Sequence, residues 1–121
     1  TTEIYTLSLH DALPIYWQYS DELAKLFADY HIGMTHRRLG QFDEAKRWLR
    51  PVLAWAERLD NPGAIGQACE DLGEAMIGTG QKADGVQLMR RAREEYVRAG
   101  YDKTWPEIWD NINRRLKELG G

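Results

Sequence analysis

The chain has 121 residues, with 19 acidic and 16 basic side chains and a formal net charge of −3 at pH 7. This near balance of charge provides no long-range attraction to nucleic acid or to an anionic membrane, and no apolar run approaches the ~20 residues of a membrane span. The single cysteine, Cys69, excludes an intrachain disulfide and cannot hold a metal cluster alone. We therefore expect a cytoplasmic domain with no cofactor, no metal, no nucleic-acid partner and no membrane contact.

The first fifteen residues, TTEIYTLSLHDALPI, resemble the translation of a sequencing-library adapter, which reproduces every one of them. We therefore expect residues 1–15 not to be native, and we exclude them from the prediction of the fold. The alternative is a native strand-like segment in which Tyr5, Leu7 and Leu9 alternate along the chain. With the adapter removed, residues 16–121 form one helical domain, which we expect to be a fragment of a larger bacterial protein from a metagenomic sequence.

Apolar residues at helical spacing predict five helices after this segment. Ser20 is the expected N-cap of the first helix, and Thr104 has capping-box spacing to Glu107 at the start of the fifth. Residues 61–63, Asn-Pro-Gly, predict the turn after the second helix, and Pro51 predicts a kink inside it. The expected helices are Asp21–Leu39, Asp43–Leu59, Ala64–Thr79, Lys82–Ala99 and Trp105–Leu119.

Glycines recur at a fixed interval in the chain, at Gly40, Gly80 and Gly120. Gly33 and Gly73 each precede one of them by the same distance. A fixed period of this size is typical of a helical repeat array, in which each unit buries its apolar face against the next. The sequence therefore predicts an all-α fold of antiparallel helix pairs.

The pattern resembles the tetratricopeptide repeat (TPR) family. Members have a small residue midway along helix A, a glycine at the turn to helix B, an aromatic residue after that turn and an alanine early in helix B. The first repeat matches at Gly33, Gly40, Phe42 and Ala45. The second repeat is degenerate, because Lys82 and Gly85 stand in the aromatic and alanine places.

This resemblance implies a short right-handed α-solenoid of about five helices. Its repeats would span about 21–60 and 61–100, and the helix at 104–119 would either cap the array or be truncated. The interval from Gly40 to Gly80 is longer than the usual repeat of the family, which has ~34 residues. Longer repeats of this kind are similar to those of bacterial transcriptional regulators and signal-transduction ATPases.

The resemblance also implies a non-catalytic scaffold that binds a peptide or a partner helix in a concave groove lined by the A helices. Carried over by repeat position, the groove-facing residues would be Phe27, Tyr30, Met34, Arg37, Arg38, Gln67, Glu70, Glu74, Asp110 and Arg114. The alternative is a sensor or regulatory segment of a multidomain bacterial transcriptional regulator or signal-transduction ATPase. In that case the partners would be adjacent domains of the same parent chain.

A third hypothesis, a small α-helical enzyme, would require Asp29, His31 and His36 to converge in one pocket. The spacing of the two histidines places them on different faces of a helix, and no HExxH motif accompanies them. Cys69 falls in an apolar stripe, which predicts a small buried hydrophobic residue and not a nucleophile. The chain also lacks a glycine-rich phosphate loop. We therefore predict no catalytic, cofactor-binding or metal-binding residue.

Overall fold

The computed structural model describes the backbone of residues 14–120 and the side chains of residues 21–120, and this part of the chain is all-α. Residues 1–13, which make up most of the adapter-like segment, lie outside it. Six helices and no strand occur in the described residues: α1 (Pro14–Arg38), α2 (Phe42–Arg58), α3 (Pro62–Gly78), α4 (Lys82–Arg98), α5 (Tyr101–Thr104) and α6 (Pro106–Glu118). None of these helices has the length and apolar character needed to cross a membrane.

The predicted all-α fold class is confirmed, and the last four predicted helices agree closely at both ends with α2, α3, α4 and α6. The predicted start of the first helix at Asp21 is wrong, because α1 begins at Pro14. Proline suits a first helical turn, where its missing N–H would have had no partner. Ser20 consequently lies inside α1 and is not its N-cap.

The capping box predicted at Thr104 is also wrong. A single-turn helix, α5, occupies this stretch, and Thr104 is its last residue. Its hydroxyl donates to the carbonyl oxygen of Gly100 at 3.0 Å, so it does not cap the following helix. Trp105 stands at the N-cap position of α6 and makes no side-chain cap hydrogen bond.

A left-handed backbone conformation recurs at equal intervals along the chain. The φ angle is 77° at Gly40, 48° at Asp60, 85° at Gly80, 78° at Gly100 and 82° at Gly120. At the first three positions the left-handed residue donates to the carbonyl three positions back, and the next amide donates to the carbonyl five positions back. This is the Schellman arrangement, which satisfies the last carbonyl groups of a helix. One helix with its turn therefore occupies half of the period seen in the sequence.

Consecutive helices pack against each other along the chain from α1 to α4, and α6 packs against α4. The apolar core lies between them. Its largest fully buried side chains are Leu26, Leu49, Cys69, Met89, Tyr96, Ile112 and Leu116. The predicted burial of Cys69 is confirmed, and burial raises the pKa of its thiol to about 11, so that it packs as a neutral apolar group.

The helix crossings depend on glycine. A Cβ atom at Gly33 would lie 2.7 Å from the Leu49 side chain, and one at Gly73 would lie 2.7 Å from the carbonyl oxygen of Gly85. Neither distance is compatible with a side chain. The second crossing has glycine on both helices, and α3 and α4 form the most extensive helix pair. At Gly85, in the alanine place of the degenerate repeat, a Cβ atom would lie 2.5 Å from the carbonyl oxygen of Gly73, so this crossing has no room for the alanine.

Gly80 offers a test of the turns, because a Cβ atom there would meet no other atom within 4 Å and only its φ of 85° opposes a side chain. We expect Gly80→Ala to lower the free energy of unfolding by about 1 kcal/mol, the cost of a left-handed alanine. Gly80→Asn should lose less, because asparagine tolerates this conformation. Urea unfolding followed by circular dichroism measures both. Equal losses in the two variants would show that the φ angle is not the cause.

Candidate functional site

A cavity of 540 Å³ lies between α1, α3 and α6, with one residue of α4 in its wall. We call it the groove. Its lining residues are Phe27, Tyr30, His31, Met34, Arg37, Arg38, Gln67, Glu70, Asp71, Tyr96, Ile108 and Asn111. The helices that build it are separated in the chain by α2 and by α4 with α5, so alternate long helices share this surface.

Most of the residues that repeat position predicts for binding lie at this cavity. Those that line the groove are Phe27, Tyr30, Met34, Arg37, Arg38, Gln67 and Glu70. Glu74 lines a second cavity of 350 Å³, which shares Arg37 and Arg38 with the groove. Asp110 and Arg114 are exposed on α6 and line neither of the two cavities.

The face that α6 turns to the groove lies one position further along than repeat position predicts. Ile108 and Asn111 line the groove, and Arg115 lines the second cavity. One position corresponds to a rotation of about 100° about the helix axis. His31, Asp71 and Asn111 stand at equal positions of the glycine period and all line the groove. These three residues therefore mark the face that the helices share in the groove. The predicted series of Tyr30, Glu70 and Asp110 marks it only in part, because Asp110 lines neither cavity.

Asp71 is a charged residue in the buried stripe of α3, with only 5% of its surface exposed. The Tyr30 hydroxyl donates to its Oδ2 atom at 2.6 Å, and Nε of Arg37 donates to its Oδ1 atom. Both donors come from α1, so this carboxylate joins α1 to α3. Burial, followed by the charge of Asp71, raises the pKa of Tyr30 far above its usual value and keeps it a donor.

Sequence reasoning missed Asp71, although a signal was present. It is an acidic residue between apolar positions of the α3 stripe, next to Leu72. A carboxylate placed in such a stripe requires a cation or a hydrogen-bond donor from a neighbouring helix. The pairing with Arg37 could therefore have been sought among the basic residues at the end of the first helix.

Glu70, the residue before Asp71, also lies in the groove wall. The Tyr96 hydroxyl donates to its Oε1 atom at 2.8 Å. The pKa of Glu70 is raised from its ordinary 4.5 to about 7, chiefly by burial. The charges of Asp71 and Glu74 contribute to this rise, whereas the Tyr96 hydrogen bond and the charge of Arg37 oppose it. Glu70 therefore carries a proton much of the time at neutral pH.

Tyr96 is positioned by its neighbours on both sides. It is 1% exposed, and its ring lies across α3 at Gly66, where a Cβ atom would come within 2.6 Å of the ring. The Tyr101 ring stacks on it, with 5.6 Å between the ring centroids. Because Gly66 is a glycine, the Tyr96 ring of α4 can cross α3 there and bring its hydroxyl to the Glu70 carboxylate.

Glu74 pairs with Arg115 of α6 through two hydrogen bonds. Nε of Arg115 donates to Oε2 at 2.8 Å, and Nη2 donates to Oε1 at 3.0 Å. Two parallel N–H···O bonds hold a guanidinium and a carboxylate in one plane. The pair joins α3 to α6, as the pair between Arg37 and Asp71 joins α1 to α3.

Asp29, His31 and His36 do not meet in one cavity, although the two histidines both line a cavity of 260 Å³. Asp29 accepts a hydrogen bond from Lys25 at 2.8 Å. Asp29 lines a separate cavity, whereas His31 lines the groove. The Nδ1 atom of His36 lies 2.6 Å from the Oε1 atom of Gln41. Across the described residues, no three His, Cys, Asp or Glu side chains are arranged to hold a metal ion.

Comparisons with protein-family models, with curated proteins and with solved structures gave no match to this chain. Its function is therefore inferred from the geometry and the charges of the groove.

The pair between Arg37 and Asp71 can be tested by truncation. We expect Asp71→Ala to lower the free energy of unfolding by about 3 kcal/mol, because it leaves the Tyr30 hydroxyl and a largely buried guanidinium without their acceptor. The matched control is Asp43→Ala, which removes a carboxylate that is 88% exposed and lies 3.3 Å from Lys46. That variant should lose less than about 1 kcal/mol. Similar losses in the two variants, measured by urea unfolding, would contradict the proposed role of Asp71.

Glu70 makes stability depend on pH. Because its pKa is higher in the folded chain, its contribution is fully present below pH 4.5 and is lost as pH rises through about 7. We expect the free energy of unfolding of the wild type, relative to Glu70→Gln, to fall by about 2 kcal/mol between roughly pH 5 and pH 8. The exposed Glu94 provides the control, since Glu94→Gln should show no such difference. Urea unfolding at several pH values measures the profile, and a difference independent of pH would contradict it.

Proposed function

We propose that this chain is a non-catalytic, TPR-like scaffold whose groove binds a peptide or a partner helix. The observation that supports this most is that α1, α3 and α6 all contribute side chains to one surface. A surface built by alternate helices of a repeat array extends with each added unit. Such a surface suits an elongated partner better than a compact one.

The groove continues into the second cavity through shared residues. Arg37 and Arg38 line both, and beyond them lie Phe42 of α2 and Arg115 of α6. The joined surface therefore runs along α1 from Phe27 to the end of the helix. An extended segment or a helix that follows this course would meet several separate contact points, as in known modes of peptide recognition.

Several lining side chains are already fixed before a partner arrives. Arg37 is held by Asp71, and Arg115 is held by Glu74. Phe27 is 39% exposed and is available as an aromatic anchor. Side chains held in place lose less conformational freedom on binding, and exposed aromatic residues are frequent anchors of interfaces. The groove thus combines fixed polar groups with an accessible apolar one.

A selection from a displayed library of random short peptides, with the immobilised chain as target, tests this proposal. We expect the enriched peptides to bind the wild type and to bind Phe27→Ala and Arg38→Ala about fivefold more weakly or worse, because each change removes an exposed lining group. Fluorescence polarisation with labelled peptides measures the affinities.

The matched controls replace an arginine and an apolar residue by alanine at positions outside the groove. Arg50 is exposed on α2, and Val97 is 50% exposed on α4, and neither lines the groove or the second cavity. Arg50→Ala and Val97→Ala should bind the peptides as the wild type does. Equal losses in groove and control variants, or a selection that enriches no peptide, would overturn the proposal.

A further inference from the structure

We propose that Glu70 is the place in the groove that receives the ammonium group of a lysine side chain from the bound peptide. This inference rests on the function proposed above and adds the chemistry of the partner. Four observations support it: the pairing of the other α3 carboxylates, the free oxygen of Glu70, the apolar residues that line the same cavity and the pairing of Arg37 with Asp71.

Three carboxylates of α3, those of Glu70, Asp71 and Glu74, line the two cavities, and two of them form ion pairs with arginines. Asp71 pairs with Arg37 of α1, and Glu74 pairs with Arg115 of α6. No basic side chain of the described residues forms an ion pair with Glu70. Residues 1–20 contain no Lys or Arg, so the residues with described side chains include every Lys and Arg of the chain.

The unpaired carboxylate is unfavourable as the structure stands. A charged group in a cavity wall loses hydration, and a partner of opposite charge compensates for that loss without the uptake of a proton. The Tyr96 hydroxyl occupies Oε1 of Glu70, and Oε2 accepts no hydrogen bond from another described residue. One free oxygen matches a compact ammonium better than a guanidinium, which binds carboxylates through two parallel bonds.

The wall around Glu70 also fits the stem of a lysine. Met34 and Ile108 line the same cavity and pack against the core, and Phe27 is partly exposed beside them. The four methylene groups of lysine can cover such apolar surface while the ammonium group reaches a charged partner. An aromatic ring at the cavity adds a favourable surface for a cation.

The positive charge that acts on Glu70 is that of Arg37, which lowers the pKa of the Glu70 carboxyl. The charge of Arg37 is neutralised by Asp71. Arg38 lies where the groove meets the second cavity, whose lining does not include Glu70. The arginine whose charge reaches Glu70 is therefore already balanced by another carboxylate.

Butylammonium chloride, which carries the end of a lysine side chain, is the first probe. We expect it to shift the backbone amide resonances of Gln67 and Glu70 in a saturable way in the wild-type chain. In Glu70→Gln, which keeps an oxygen for the Tyr96 hydroxyl, we expect the shift of Gln67 to require about tenfold more probe, as when one hydrogen bond to a charged group is lost. Glu94→Gln is the matched control and should respond as the wild type does.

Two further probes separate charge from apolar contact. 1-Butanol has a similar stem without charge, and sodium butyrate has the opposite charge; we expect neither to give a saturable shift at Gln67. Equal responses to butylammonium and 1-butanol, or the same response in wild type and Glu70→Gln, would overturn the inference. The comparison of probes on the wild type remains decisive even where Glu70→Gln does not fold.

The selected peptides provide the second test. We expect them to contain lysine, and the replacement of that lysine by norleucine should weaken binding about tenfold to the wild type but not to Glu70→Gln. Peptides that depend on Phe27 and Arg38 but not on lysine or Glu70 would overturn this inference and leave the proposed function standing. A failure to select any groove-binding peptide would overturn the proposed function itself.

Discussion

The turns that end the helices determine which side chains can meet across the groove. Left-handed residues at positions 40, 60 and 80 stop the helices at equal intervals, and α2, α3 and α4 have the same length. Equal helices joined by equal turns bring residues one period apart to the same level of neighbouring units. His31, Asp71 and Asn111 can therefore face one cavity although they lie on three helices that are far apart in the chain. The ion pairs of the site depend on this register.

Much of the helix arrangement could be predicted because its signals are local. Gly40, Gly80 and Gly100 mark turns through a backbone preference that holds wherever glycine ends a helix. Asp60 takes the same conformation but is not a glycine, so the glycines show the shorter interval between turns only from Gly80 to Gly120. The start of α1 at Pro14 was missed for a different reason: Ser20 has the side chain of an N-cap but lies inside the helix, and residues 14–15 belong to the segment excluded from the fold prediction.

The site could be predicted only in part, because its geometry depends on contacts between distant residues. The residues that repeat position selects on α1 and α3 line the groove, apart from Glu74, which lines the second cavity. These two helices are joined through α2 by turns of the same kind. Asp110 and Arg114 line neither cavity, and the short helix α5, which repeat position does not include, stands between Gly100 and α6. The partnership of Tyr96 with Glu70 could not be predicted either, as it requires the ring of α4 to cross α3 at Gly66.

The carboxylates of α3 show how structural and binding roles can divide among neighbours on one helix. Asp71 and Glu74 each use an arginine of another helix, and these pairs hold α1 and α6 on either side of α3. An apolar residue at Glu70 would avoid the cost of burying a carboxyl group, so stability alone does not account for the acid. Its pKa of about 7, set chiefly by burial in the wall of a cavity, is the kind of shift that often accompanies binding sites. A partner's cation would remove that cost, and the binding free energy would include the relief of an unfavourable group already present in the free chain.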